Sequence, residues 1–126
     1  MKSSNGKFIC ADGSRNNLLF ANRDSAKGWE TFSLIMFAKN KCSIRAYNGK
    51  YLCAELNSRG EITATREKVG PWEIFSMIEF DSNYVAFKAA NGKFLCMDES
   101  GSPAGQIIAK SDSIGVKEKF LLIESK

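Results

Sequence analysis

Apolar residues in this chain come in short runs broken by polar ones. Lys7 to Ala11, Leu18 to Asn22 and Thr31 to Phe37 are rich in aromatic and aliphatic residues, and Gly, Asn, Asp or Ser separates them. Cys42 to Ala46 and Tyr84 to Ala89 are further runs of this kind, each leading into an Asn-Gly pair. Such alternation with frequent breaks predicts β-strands, and no helical period competes. Asn-Gly between two strands predicts a tight hairpin, with a type I′ turn that needs positive φ at both residues.

The strand pattern repeats. "NGKFICA" begins at Asn5, "NGKYLCA" at Asn48 and "NGKFLCM" at Asn91, at intervals of 43 residues. Strands follow that end "LLFANR" at Arg23, "EITATR" at Arg66 and "QIIAKS" at Ser111, and the units close on "ETFSLI", "EIFSMI" and "EKFLLI". The third unit carries two extra residues in "DESGSPAG", where Gly and Pro mark a loop. Four strands per unit also suit a propeller blade, but three blades are too few to close a propeller. Three four-stranded units around a threefold axis predict an all-β β-trefoil. The expected layout is one domain over residues 1–126, with repeats at about 1–40, 41–82 and 83–126. Met1 falls opposite Ile44 and Phe87, so the first unit lacks most of its leading strand. That suggests a tightly bounded domain or one excised from a larger protein.

Composition narrows the function. The chain has 126 residues, 44% of them hydrophobic and 25% charged, which suits a globular domain with a core of its own. No apolar run approaches the roughly 18 residues of a membrane span, and no signal-peptide pattern opens the sequence. The net charge of +4 is mild and mixed in sign, which gives no argument for nucleic acid. Histidine is absent, which removes the usual general base and the commonest zinc ligand. An enzyme, a cofactor or a metal is therefore not expected. Cys10, Cys53 and Cys96 recur at one position of the repeat without metal-type spacing, and read as small buried hydrophobes with free thiols; Cys42 is the odd one. Phe32, Phe75 and Phe120, with Leu34, Met77 and Leu122, read as core. Lys7, Lys50 and Lys93 read as solvated strand lysines.

One element occurs twice rather than three times. Arg23 precedes Trp29-Glu30 as Arg66 precedes Trp72-Glu73, while the third unit has Ser111, Lys117 and Glu118 at these positions. Glutamate is kept where Arg and Trp are lost together, so Glu suits a capping or salt-bridging role and Arg with Trp behaves as a dispensable functional pair. An indole at a turn offers a flat apolar face to a pyranose, a carboxylate accepts from vicinal hydroxyls, and a guanidinium donates to sugar oxygens or holds the carboxylate. The competing reading is an Arg–Trp cation–π stack that only covers the barrel end. Candidate sugar-binding residues are Trp29, Glu30, Arg23 and Asn22 in the first unit, and Trp72, Glu73, Arg66 and Lys68 in the second. Lys27 and Thr65 are their neighbours. Glu118 and Lys117 mark a degenerate third site. Asp24 and Glu67, one residue after the arginines, read as loop charges or Arg partners.

The NGK turn, the cysteine strand and the Gly-Trp-Glu-x-Phe element together resemble fascin-like β-trefoil repeats. More narrowly, they resemble those attached to bacterial carbohydrate-active enzymes, which overlap with trefoil modules for β-glucans. The resemblance spans the whole chain. It implies a non-catalytic carbohydrate-binding module or lectin, with polysaccharide or oligosaccharide as partner and two sites that act by avidity. It also implies a monomeric module of a larger enzyme, extracellular if that enzyme is secreted and otherwise cytoplasmic. Actin-bundling fascins share the turns but do not generally carry the Arg and Trp element, so an actin-binding or protein-interaction trefoil is the alternative.

Overall fold

A computed structural model of the chain describes residues 1–13, 17–24, 32–55, 59–100 and 105–122. Eleven strands lie within them, and every pairing between them is antiparallel. The first unit holds β1 (Phe8–Asp12), β2 (Leu18–Arg23) and β3 (Phe32–Ala38). The second holds β4 (Lys41–Ala46), β5 (Tyr51–Ala54), β6 (Ile62–Arg66) and β7 (Phe75–Glu79). The third holds β8 (Tyr84–Lys88), β9 (Phe94–Asp98), β10 (Gln106–Ser111) and β11 (Phe120–Leu121). The strands expected from sequence match these to within about a residue at each end. Among the described residues no helix is long and apolar enough to cross a membrane.

The strands form two layers. Opening and closing strands build a barrel, in which β3 pairs with β4, β4 with β7, β7 with β8, and β8 with β11. The hairpins β1–β2, β5–β6 and β9–β10 cap one end of it. The hairpins meet through single pairings, Leu18 with Thr63, Gln106 with Phe20, and Glu61 with Ile108. Three main-chain hydrogen bonds complete the contact. Ala21 N donates to Gly105 O at 2.7 Å, Ala64 N to Asn17 O at 3.0 Å, and Ala109 N to Gly60 O at 2.8 Å. The acceptors sit at the left-handed φ values of 94°, 59° and 81°. Glycine reaches that region without strain, and a short asparagine tolerates it. A Cβ on Gly60 would lie 2.7 Å from Ala109 O, so this approach requires glycine.

Residues that point into the barrel form the core. Ile9, Leu52 and Leu95 are one threefold set, and Leu19, Ile62 and Ile107 another. Each side chain of this size removed from water contributes about 1.5–3 kcal/mol before the entropy of ordering is counted. Phe75, Phe120 and Met77 are buried as expected, but Phe32, Leu34 and Leu122 are only partly buried. For Phe32 and Leu34 the cause is the unpaired edge of β3, described below.

The Asn-Gly turns fall where the sequence puts them but in another conformation. Gly6, Gly49 and Gly92 have φ of 78°, 79° and 79°, whereas the asparagines before them do not have positive φ. Gly49 N bonds to Ala46 O and Ala46 N to Lys50 O, a four-residue loop with one left-handed residue rather than type I′. The asparagine side chain explains the preference. Asn48 Oδ1 accepts from Lys50 N at 2.9 Å while its Nδ2 donates to Ala64 O at 3.1 Å. Asn5 and Asn91 make the same pair of bonds. Each turn is thereby tied to the strand across its hairpin.

Candidate functional site

Strand alternation gives each hairpin a second face. Ile9 and Ala11 point to the main core, so Phe8, Cys10 and Asp12 lie on the opposite face. Tyr51, Cys53 and Glu55 occupy this face in the second unit, and Phe94, Cys96 and Asp98 in the third. A short 3-10 turn covers it: Pro71–Glu73 packs on β5 and Val116–Glu118 on β9. Pro71 opens its turn, where a fixed φ suits a first helical position and no N–H is needed.

In the second unit the turn is held by its own glutamate. Glu73 Oε1 accepts from Gly70 N at 2.7 Å, and Glu73 Oε2 stands 3.9 Å from Arg66 Nε. The Glu73 side chain is only 9% exposed. Its carboxylate is therefore engaged inside the protein, the capping geometry, and is not turned to vicinal hydroxyls of a ligand. Trp72 precedes it, half-buried, with Pro71 exposed beside it.

Arg66 organises the outer polar surface. Its Nη2 donates to Glu55 Oε1 at 3.0 Å and its Nη1 to Thr65 Oγ1 at 2.8 Å. Thr63 Oγ1 donates to Glu55 Oε2 at 2.7 Å and lies 3.0 Å from Thr65 Oγ1. Arg66 is 39% exposed and Glu55 19%. The result is a fixed array of donors and acceptors at the surface, with the guanidinium as its hub. Among the described residues no cation–π contact joins Arg66 to Trp72; Arg66 is committed to carboxylates instead. Lys68 is exposed beyond the end of β6.

The first unit shows part of the same plan. Arg23 Nη1 donates to Asn22 Oδ1 at 3.2 Å, and Arg23 Nη2 stands 4.0 Å from Asp12 Oδ2. Asp12 is fully buried, so it serves Arg23 rather than a ligand. Cys10 Sγ donates to Asn22 Oδ1 at 3.3 Å. Lys27, Trp29 and Glu30 lie outside the described residues.

The third unit substitutes a hydroxyl for the guanidinium. Ser111 Oγ donates to Glu118 Oε2 at 2.9 Å, and Glu118 Oε1 accepts from Gly115 N at 2.6 Å. Glu118 thus repeats the cap of Glu73, while Lys117 stands exposed where the second unit has Trp72. Asp98 Oδ2 accepts from Lys110 Nζ at 3.0 Å, and Asp98 Oδ1 from Ser100 N at 2.9 Å and Ser100 Oγ at 2.5 Å. The Ser100 hydroxyl and N–H, then Lys110, hold the Asp98 carboxyl down at about 2.

The cysteines lie beneath these turns. All four are buried free thiols. Burial pushes the Cys53 thiol up, and Glu73 and Glu55 add to the effect. Burial also raises Cys96, and takes Cys42 up to about 11. They are protonated packing groups at neutral pH. Among the described residues no group of His, Cys, Asp or Glu is arranged to hold a metal ion.

Two readings from sequence need correction. Asp24 and Glu67 are not arginine partners, because the turn lysines reach them first. Lys7 pairs with Asp24 and Lys50 with Glu67 at 2.6 Å, and Lys93 pairs with Asp112 in the third unit. These lysines are ion-paired rather than merely solvated. The acid at the end of each first hairpin strand, Asp12, Glu55 or Asp98, was missed as a site residue. The signal was present: the three positions are 43 residues apart, as the asparagines of the turns are.

The fold and its site can now be set beside known proteins. A designed threefold-symmetric protein, ThreeFoil, superposes with a TM-score of 0.84 at 16% identity, over 99% of this chain and 96% of that one. An exo-β-1,3-galactanase from Clostridium thermocellum superposes with a TM-score of 0.76 at 16% identity, over 98% of this chain. A Polyporus squamosus lectin, bound to a sialylated oligosaccharide epitope, gives 0.69 at 10% identity over 88% of this chain. This chain spans 29% of the galactanase and 41% of the lectin. These likenesses show the fold, and the protein is a β-trefoil. No curated protein matches the sequence significantly. The model of one family, described as a domain of unknown function (DUF7910), matches residues 1–99, and the chain belongs to that family.

Proposed function

We propose that this trefoil is a non-catalytic carbohydrate-binding domain that holds a polysaccharide, of the β-glucan type, at the 3-10 turns of its first two units. The observation that carries this reading is the surface of the second unit. Half-buried Trp72 leaves part of its indole open, next to the Arg66, Glu55 and Thr65 array. One apolar face with a few fixed polar groups suits a shallow sugar site. Glu55, rather than Glu73, is the acceptor for sugar hydroxyls, since Glu73 is spent on Gly70 and Arg66. Thr65 and Lys68 are exposed beside it. The first unit carries Trp29 and Arg23 at the matching sequence positions, and the third has Lys117 and Ser111 in their place. Two working sites on one rigid body favour a long chain over a short oligosaccharide. Two of the structural neighbours, a galactanase and a lectin bound to an oligosaccharide, lend support from the fold side.

The test is affinity electrophoresis in gels with β-1,3-glucan, β-1,4-glucan, β-1,3-galactan or no polymer. Trp72→Ala and Trp29→Ala should each weaken retardation by about tenfold or more through loss of avidity, and the double variant should abolish it. A double variant that folds and is still retarded like the wild type would refute the site. No retardation of the wild type by any polymer, together with co-sedimentation on actin filaments, would refute the class and favour the fascin-type alternative.

A further inference from the structure

The barrel has one open seam. In the second unit the opening strand β4 pairs with the preceding β3, with its own closing strand β7 and with β5. In the third unit β8 does the same with β7, β11 and β9. Residues 1–3 fill this place in the first unit. Lys2 bridges Leu121 of β11 and Phe8 of β1. Among the described residues nothing joins them to β3, which pairs only with β4.

The edge left over is long, apolar and uncharged. β3 is seven residues, FSLIMFA, against five for β7 and two for β11. Ile35, Met36 and Phe37 are 38%, 43% and 52% exposed. Beside the seam, Met1 lines an apolar void on the barrel axis with Ile44, Leu52, Phe87 and Phe120. A free edge of this length and composition is a template for another strand. The covered seams of the other two units show what fits there, an extended segment running antiparallel.

We infer that two copies of this chain associate through the free edges of their β3 strands, antiparallel about a twofold axis. The strand is suited to its own copy in three ways. An antiparallel pair centred on Ile35 is self-complementary, as a twofold interface must be. The ladder contains no charge, so no like charges face each other. Lys39 and Lys41, which follow β3, fall at opposite ends of such a ladder, whereas a parallel pair would bring them together. The pairing continues the β4–β3 sheet across the axis and covers the exposed apolar residues. A single ladder of this length makes a small interface, so the dimer is weak, and the net charge of +4 per copy opposes it. The monomer expected from sequence is then the low-concentration form.

Sedimentation velocity over about a hundredfold range of concentration reads this directly. The wild type should shift from monomer toward dimer as concentration rises, and further when salt screens the charge. Ile35→Lys and Phe37→Lys, both at exposed positions, should remove the shift while the melting temperature holds. A second variant repeats Asn40, Lys41, Cys42 and Ser43 ahead of Met1, which supplies the missing strand within the chain. It should be monomeric and melt higher than the wild type. A wild type monomeric throughout overturns the inference, even if the extended variant melts higher, since the seam would then take a strand only in cis. A dimer that survives both the lysine substitutions and the extension also overturns it, because the interface would lie elsewhere.

Discussion

Replacing Glu73 separates its two readings, as the cap of a turn or as a ligand group. Glu73→Ala removes a charged acceptor 2.7 Å from Gly70 N. A hydrogen bond to a charged group contributes about 1.5–3 kcal/mol. Gly70 is only partly buried, so water recovers some of this and a loss of about 2 kcal/mol is expected. Arg66 keeps Glu55 and Thr65, so its separation from Glu73 adds little. For 126 residues the unfolding entropy is about 0.26 kcal/mol per kelvin, and the melting temperature should fall by about 8 °C. Glu73→Gln keeps an acceptor for Gly70 and should cost about 1 kcal/mol, or about 4 °C. Glu118→Ala, at the matching cap of the third unit, should match Glu73→Ala. Calorimetry gives the stabilities and affinity electrophoresis the binding. If Glu73→Ala melts like the wild type yet loses polysaccharide retention, the carboxylate faces a ligand and the capping argument fails.

Two further predictions concern the fold. Gly60→Ala places a Cβ 2.7 Å from Ala109 O at φ 81°, and should destabilise by about 2–4 kcal/mol. Gly6→Ala has the same sign of φ but nothing within 4 Å of the new Cβ, so thermal melting should show only about 1 kcal/mol. Asp98 sets a pH dependence. Its carboxyl is held at about 2, below the unfolded value, so its stabilisation is present above about pH 4 and is lost as pH falls toward that value. Asp98→Asn should therefore melt lower at pH 7, with the gap to the wild type closing through that acid range in a calorimetric pH series.

What was legible in the sequence was whatever the repeat carries three times. Turns, cysteine strands and closing phenylalanines have one environment in each unit, and their period alone assigns them to a threefold body. The glutamate of the Glu-x-Phe element was legible as a cap for the same reason. Partners were harder. Nothing in "NGK" says that its lysine crosses the hairpin to Asp24 or Glu67, since that depends on how strongly the hairpin twists. The asparagine turns misled because the side chain has two main-chain partners that local propensity does not see. Asp12, Glu55 and Asp98 were overlooked because they differ in type and stand next to the loops, although their interval is that of the repeat. The unequal burial of β3 was only half legible. The missing strand was visible from the position of Met1, but Phe32 and Leu34 were still expected in the core, and their exposure follows from the neighbour that β3 lacks.

The three hydrogen bonds between the hairpins run in one rotational sense. The first unit gives a proton to the third, the third to the second, and the second to the first. Each unit is thus a donor to one neighbour and an acceptor from the other, and the cycle does not depend on the order in which the chain visits them. A single unit leaves both bonds unmade and its inner face in water, so it has no reason to persist alone. Three separate copies of one idealised unit can close the same cycle, and so can a chain cut between units and rejoined through its old ends. Closure of the ring, more than chain connectivity, is what counts the units to three.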